Sequence, residues 1–277
     1  MRFNFPCVRL AAAFALLCFT THFLPAAEIT KDDVDFRKKV YASKKGERLP
    51  YRLFVPTGYS PEQKYPLILW LHGREGRGSD NLQQIVHTNQ KGAHVWIAPE
   101  IQLKFPVFVL APQCPITENW SDPDLNLPSK ALELSLQILA LVQNEFSIDP
   151  DRVYVVGQSM GGLGVYSLLQ LYPEKWAGAV ILTAYDNFTN AMAISRVPLW
   201  VFQGDADQTV PVTMVRDMMK QLKKANANLR YTEYHKADHD IWDRAFAEPE
   251  LIPWLASLKR AASSTSQLGT SATPPAK

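Results

Sequence analysis

Ser159 is the residue from which chemistry can first be read. It stands in the run Val153 to Gly164, "VYVVGQSMGGLG", where one hydroxyl is framed by glycines directly after β-branched and aromatic residues. Val153, Tyr154, Val155 and Val156 read as a strand buried on both faces of a parallel sheet. The following "VYSLLQLYP" has the apolar spacing of a helix ending before Pro173. The serine is therefore predicted on a sharp strand-to-helix turn, a strained place for a residue with a Cβ, with Gly157 and Gly161 removing side chains that would collide. An Oγ exposed there, in a Gly-x-Ser-x-Gly setting, has the position of a nucleophile. A glycine-rich turn can also cradle phosphate, but neither a Gly-Lys-Ser/Thr ending nor a Gly-x-Gly-x-x-Gly spacing is present.

A serine nucleophile needs a base to take its proton, and the base needs a carboxylate to hold its tautomer and stabilise the imidazolium. Downstream, "FQGDADQTVPV" carries Asp205 and Asp207, and "YHKADHDIWD" carries His235, His239 and Asp240. The order Ser159, Asp207, His239 is one in which a strand-to-helix elbow meets its acid and then its base. His235 reads as a residue inside the last strand. Trp242 is expected to pack beneath His239.

The elements that must position these residues follow from apolar patterning. "LPYRLFVP", "YPLILWLHG" and "FPVFVLAPQCP" read as strands, then "SKALELSLQILALVQNEF" as a helix on the sheet with Glu133, Gln137, Asn144 and Glu145 left for water. The elbow strand, "AGAVILTA" and "PLWVFQG" are further strands. "VTMVRDMMKQLKKANA" and "DIWDRAF" read as helices, and "LRYTEYHK" as a strand toward the sheet edge. Strands and helices in alternation predict an α/β fold with a mostly parallel central sheet covered on both faces, and sites in such folds lie at the carboxyl ends of strands.

With 277 residues, 47% hydrophobic and 20% charged, the chain is long enough for one large α/β domain. Residues 1–27 read as a signal peptide: Arg2 and Arg9, an apolar stretch from Leu10 to Phe19 too short to span a bilayer, then Ala26 and Ala27. A secreted or periplasmic location is expected. Residues 28–261 are the expected domain and 262–277 a disordered tail rich in small, polar and proline residues. Without Arg2 and Arg9 the basic and acidic residues balance, so no nucleic-acid partner and no stable membrane partner is expected. Cys114, the cysteine outside that leader, reads as a small buried hydrophobe.

Taken together, "LPYRLFVPTGY", "YPLILWLHG" with "GRGSDN", "LAPQCP", "GQSMGGLG", "GDADQTVPV" and "HDIWDRAFAEPELIPWL" resemble the α/β-hydrolase superfamily. Within it the resemblance is to secreted carboxylesterases related to feruloyl and acetylxylan esterases and to polyhydroxybutyrate-depolymerase-like hydrolases. It covers roughly Leu49 to Leu258. The resemblance implies an α/β-hydrolase fold, Ser159 as nucleophile, His239 as base, and Asp207 as the acid of a Gly-x-x-Asp-x-x-Val-Pro pattern. The oxyanion donors are expected at the amides of Met160 and of Arg74, the latter with His72 and Gly73 shaping its loop. "HGREGRGSDN" puts Glu75 and Gly76 where relatives more often show glycine then glutamate.

The expected activity is hydrolysis of carboxylic esters through an acyl-enzyme, with no cofactor and no metal. The segment between "AGAVILTA" and "VPLWVFQG" is too short for a large cap domain, which suits small-molecule or polysaccharide-linked esters of bulky alcohols. Trp120, in the long loop "PQCPITENWSDPDLNLPS", is a candidate for stacking substrate or for packing the loop. A prolyl-oligopeptidase-like serine peptidase, and a non-catalytic secreted binding protein on the same scaffold, are the alternatives.

Overall fold

The structure is a computed structural model that describes residues 35–86, 92–121, 127–186, 190–225 and 227–260. The expected signal peptide and tail and part of the Trp120 loop lie outside the described residues. Eight strands form one sheet: β1 (Arg37–Ala42), β2 (Arg48–Phe54), β3 (Tyr65–Leu71), β4 (Phe108–Pro112), β5 (Ile148–Gln158), β6 (Gly178–Leu182), β7 (Leu199–Gly204) and β8 (Leu229–Tyr234). Their order across the sheet is β1-β2-β4-β3-β5-β6-β7-β8. β2 runs antiparallel to both of its neighbours, and the pairs from β4 to β8 are parallel. This is the mostly parallel sheet that the alternating pattern predicts.

The helices are α1 (Gln83–Val86), α2 (Gly92–Val95), α3 (Pro99–Lys104), α4 (Lys130–Glu145), α5 (Met160–Leu171), α6 (Ala191–Ile194), α7 (Val212–Lys224), α8 (Trp242–Phe246) and α9 (Leu251–Ser257). Because strand side chains alternate between faces, the central strands feed two cores. Leu67, Leu69, Leu71, Val155, Ile181 and Val201 point to the face covered by α4, α5 and α7. Ile68, Trp70, Tyr154, Val156, Val180 and Phe202 point to the face covered by Trp96, Phe105, α8 and α9. Continuous apolar runs, rather than alternating ones, are what a sheet buried on both faces requires.

The principal helices begin where the chain supplies a start. Ser129 caps α4, its side chain accepting the Leu132 amide at 3.2 Å. α5 begins at the elbow serine itself. Between β6 and β7 the described residues carry only α6, a single turn, so no large cap stands over the carboxyl edge of the sheet. Among the described residues no helix is long and apolar enough to cross a membrane.

The short helices α1, α2, α3 and α6 were not anticipated, and neither were β1 and α9. β1 pairs with β2 from Arg37↔Leu53 to Ala42↔Arg48 as an edge strand of mostly exposed residues. α9 tolerates Pro253 because the ring sits in the first turn, where the missing N–H had no helical partner.

Candidate active site

Ser159 has φ 50° and ψ −118°, a backbone conformation that a residue with a Cβ rarely takes. The glycines explain how it is held. A Cβ on Gly161 would lie 1.9 Å from the Leu71 carbonyl oxygen, and one on Gly157 would lie 2.4 Å from the Gly161 carbonyl oxygen. The start of α5 is thus pressed against the ends of β3 and β5 at a distance only hydrogen can occupy. The Ser159 amide donates to the Leu182 carbonyl at 2.8 Å, and the Ser159 carbonyl accepts from Gly162 at 2.8 Å, which fixes both sides of the turn. Strain at one residue is offset by packing at its neighbours.

The three residues read from the sequence converge at the carboxyl ends of β5, β7 and β8. His239 Nε2 lies 2.9 Å from Ser159 Oγ, and His239 Nδ1 lies 2.8 Å from Asp207 Oδ2. The Asp207 side chain is fully buried and that of His239 is 22% exposed. The other Asp207 oxygen accepts the amides of Thr209 at 2.8 Å and Val210 at 2.7 Å. Burial alone would raise the Asp207 carboxyl, but the hydrogen bonds from His239, Val210 and Thr209 outweigh it and hold it below its ordinary value. Trp242 packs edge-on against the His239 ring, centroids 5.4 Å apart.

Arg74 opens one turn of 3-10 helix, Arg74–Gly76, after β3, and Met160 opens α5. The first residue of a helical turn has no carbonyl one turn back to receive its N–H. Both residues line a cleft of about 530 Å³ together with Ser159 and His239. The Arg74 loop is held from beneath by His72, which is fully buried. His72 Nδ1 is 2.6 Å from the Gly73 carbonyl and Nε2 is 3.0 Å from the Cys114 amide, so the ring carries its proton on Nδ1 and accepts at Nε2. Burial lowers its pKa to about 4, the Arg77 charge acting the same way, so His72 is neutral at physiological pH. Gly76 is required here, since a Cβ would meet the His72 ring at 2.5 Å. Burial also pushes the Cys114 thiol up to about 12, as an inert buried residue should be.

Two expectations need correction. Trp120 does not face the cleft: it is fully buried, its Nε1 donates to the His72 carbonyl at 2.9 Å, and its ring lies edge-on to His72. It packs the loop instead of offering a stacking surface, because the indole N–H finds its partner in the strand end. His235 is not inside β8 but follows its end, with a side chain 79% exposed and Nδ1 2.7 Å from Asp205 Oδ2. His235 and His239 are also four apart, a spacing that on a helix would offer two metal ligands. Here a turn separates them and each takes its own aspartate. Among the described residues, no group of three or more His, Cys, Asp and Glu side chains could hold a metal ion.

Sequence reading missed the rest of the cleft lining. Asn119 and Ser121 come from the loop after β4; Thr183, Ala184 and Tyr185 follow β6; Thr209 and Val210 follow β7. Thr183 has φ 46°, unusual for a β-branched residue, and nothing in "ILTAYD" announces it. Arg77 is locally paired, its guanidinium donating to the carbonyls of Arg74, Ile116 and Glu118.

The Esterase family model matches residues 43–208, a span that includes the elbow and Asp207 and ends before His239. Carboxylesterase SOBER1 of Arabidopsis thaliana is 25% identical, the match covering 72% of this chain and 92% of the relative. A protein of Oryza sativa subsp. japonica named "Probable inactive carboxylesterase" is 24% identical over 67% of this chain and 81% of its own. The crystal structure of a thermostable esterase is 35% identical with a TM-score of 0.78, covering 82% of this chain, and this chain spans 64% of that structure's length. Family match, relatives and fold agree, and the chain belongs to the Esterase family: it is an α/β-hydrolase of the carboxylic ester hydrolase class.

Proposed function

We propose that the chain is a serine carboxylesterase working through an acyl-enzyme, with Ser159 as nucleophile, His239 as general base and then acid, and Asp207 as the carboxylate that orients His239. The observation that carries the reading is the unbroken relay from Ser159 Oγ through both ring nitrogens of His239 to Asp207, at 2.9 and 2.8 Å. A relative named as inactive makes this geometry, rather than family membership, the ground for expecting turnover.

In the first step His239 Nε2 takes the Ser159 proton as Oγ attacks the ester carbonyl. Asp207, held ionised by its hydrogen bonds, stabilises the imidazolium that forms. The amides of Met160 and Arg74 are assigned to the oxyanion, each such donor contributing roughly 10²-fold to 10³-fold in rate. His239 returns its proton to the leaving alcohol, then activates a water that frees the acid from Ser159.

The substrate is assigned to small-molecule or polysaccharide-linked esters of bulky alcohols. Sheet order supports a division of the cleft about Ser159. Arg74, Glu75, Asn119 and Ser121 come from the loops after β3 and β4, on one side of β5, and form a polar wall suited to a hydroxylated alcohol. Thr183, Ala184, Tyr185, Thr209 and Val210 come from the loops after β6 and β7, on the other side, and form an uncharged wall of mixed polarity suited to a modest acyl group. Export to the periplasm or medium is proposed from Arg2, Arg9, the Leu10 to Phe19 stretch and Ala26 and Ala27.

The test is hydrolysis of p-nitrophenyl acetate and p-nitrophenyl octanoate by wild type and Ser159→Ala. The substitution is expected to lower kcat/KM by at least ~10³-fold. Activity within a few-fold of wild type would sink the reading.

A further inference from the structure

Gln203, the penultimate residue of β7, is fully buried. Its Nε2 lies 3.0 Å from Asp207 Oδ2, 3.2 Å from the Gly204 carbonyl and 2.9 Å from the Val210 carbonyl. Three oxygens around one atom fix the amide's orientation, since turning it would set Oε1 against a carboxylate and two carbonyls. Oε1 has no hydrogen-bond partner. A sheet residue that leaves a buried acceptor unpaired is unfavourable for the fold, and Gln203 accepts that while aiming its donor at Asp207.

The geometry points to Gln203 as a positioning residue for the triad: its amide anchors the Asp207 carboxylate and draws on the same oxygen that His239 uses. The inference rests on the triad reading given above. Oδ2 serves two donors, His239 Nδ1 and Gln203 Nε2, while Oδ1 serves two backbone amides. The carboxylate is thereby saturated and cannot rotate away from the ring. Each donor also withdraws charge from the oxygen the other uses, so Gln203 moderates how strongly Asp207 holds a protonated His239. The other ionisable groups near the pair are Asp238, whose Oδ1 accepts the His239 amide, and Arg74, Glu75 and Tyr185, which line the cleft. Asp240 follows His239 directly. None of these hydrogen-bonds to Asp207 among the described residues.

The experiment compares wild type, Gln203→Met and Gln203→Glu, with Asp207→Asn in parallel and thermal unfolding recorded for each. Gln203→Met removes the donor at similar volume. It is expected to lower kcat roughly tenfold with KM within about twofold, and to move the acid limb of the kcat/KM profile upward by roughly half a pH unit or more. The His239 Nδ1 proton resonance should move downfield as Asp207 binds it alone. A residue that merely ties the loop from Gly204 to Val210 would lower Tm and leave limb and resonance in place, which overturns the inference. Gln203→Glu covers the case in which the Met variant does not fold. Its carboxyl shares one negative charge with Asp207 and, as an acid, is a stronger donor than the amide. The acid limb should therefore move to lower pH, and a limb at the wild-type position overturns the inference. If Asp207→Asn retains full activity the triad reading itself fails; if Asp207→Asn is inactive while both Gln203 variants behave as wild type, only the inference fails.

Discussion

Two histidine and aspartate pairs stand near each other at the carboxyl edge of the sheet, and they differ in everything except their own geometry. Asp207 and His239 meet at 2.8 Å, Asp205 and His235 at 2.7 Å. Asp207 is buried and accepts from four donors; Asp205 has a side chain 23% exposed and uses its second oxygen to accept the Lys236 amide at 2.6 Å. The far nitrogen of His239 reaches Ser159, whereas the His235 side chain is 79% exposed. Lys236 has φ 52°, so the second pair pins an unusual turn just after β8. A carboxylate on an imidazole is therefore no sign of catalysis in itself. What separates the pairs is the Ser159 hydroxyl at the far nitrogen of His239 and the full burial of the Asp207 side chain.

Substituting both histidines is the strongest way to break the comparison. His239→Ala removes the only base within reach of Ser159 Oγ among the described residues and should lower kcat by about 10⁴-fold or more. His235→Ala should leave kcat within about twofold, since the His235 side chain is 79% exposed and its partner Asp205 is not among the residues lining the cleft. Steady-state hydrolysis of one ester by both variants decides it, and a comparable loss in His235→Ala would mean that the exposed pair serves the reaction. The carboxylates come next. Asp207→Asn keeps the size of the side chain but presents an amide to His239 Nδ1, favouring the wrong tautomer, and should cost about 10³-fold to 10⁴-fold in kcat. Asp205→Asn should cost less than about threefold, and pH-rate profiles of the two should differ only for Asp207→Asn.

How much of this could be read in advance depends on whether the deciding interactions are local. The elbow was legible because Gly157, Ser159 and Gly161 must sit together on one turn, and their collisions are with atoms that any such turn brings near. Asp207 was separable from Asp205 because the resemblance puts the acid at the Asp of the Gly-x-x-Asp-x-x-Val-Pro pattern, and the structure sets the amides of Thr209 and Val210 on that carboxylate. β1 was missed because "RKKVYA" is charged and mostly exposed, as an edge strand is, and its pairing with β2 is not visible in the local pattern. Trp120 was open between two roles because its partner, the His72 carbonyl, lies 48 residues away along the chain. Gln203 carried no signal, since a glutamine at the end of an apolar strand acquires meaning only once Asp207 is seen beside it. His235 was misplaced by a single residue, enough to turn a sheet position into a surface pair.

Acid stability sharpens the comparison at its smallest scale. Both aspartates are held below their ordinary value of 3.8, Asp207 by hydrogen bonds that outweigh burial, Asp205 chiefly by the hydrogen bond from His235. A carboxyl whose folded pKa is depressed contributes stability that is fully present above the unfolded value and is lost as pH falls through the folded one. Wild type should therefore exceed Asp207→Asn in urea midpoint at pH 6, and the gap should close as pH is lowered through and below 3.8. Asp205→Asn should show the same sign with a smaller gap, because solvent screens an exposed pair. Salt distinguishes them: at about 0.5 M sodium chloride the Asp205 gap should vanish while the Asp207 gap persists, since screening reaches an exposed charge and not one sealed beneath His239 and Gln203. Equal gaps with equal salt sensitivity would mean that burial does not separate the two pairs, and the distinction between them would then rest on Ser159 alone.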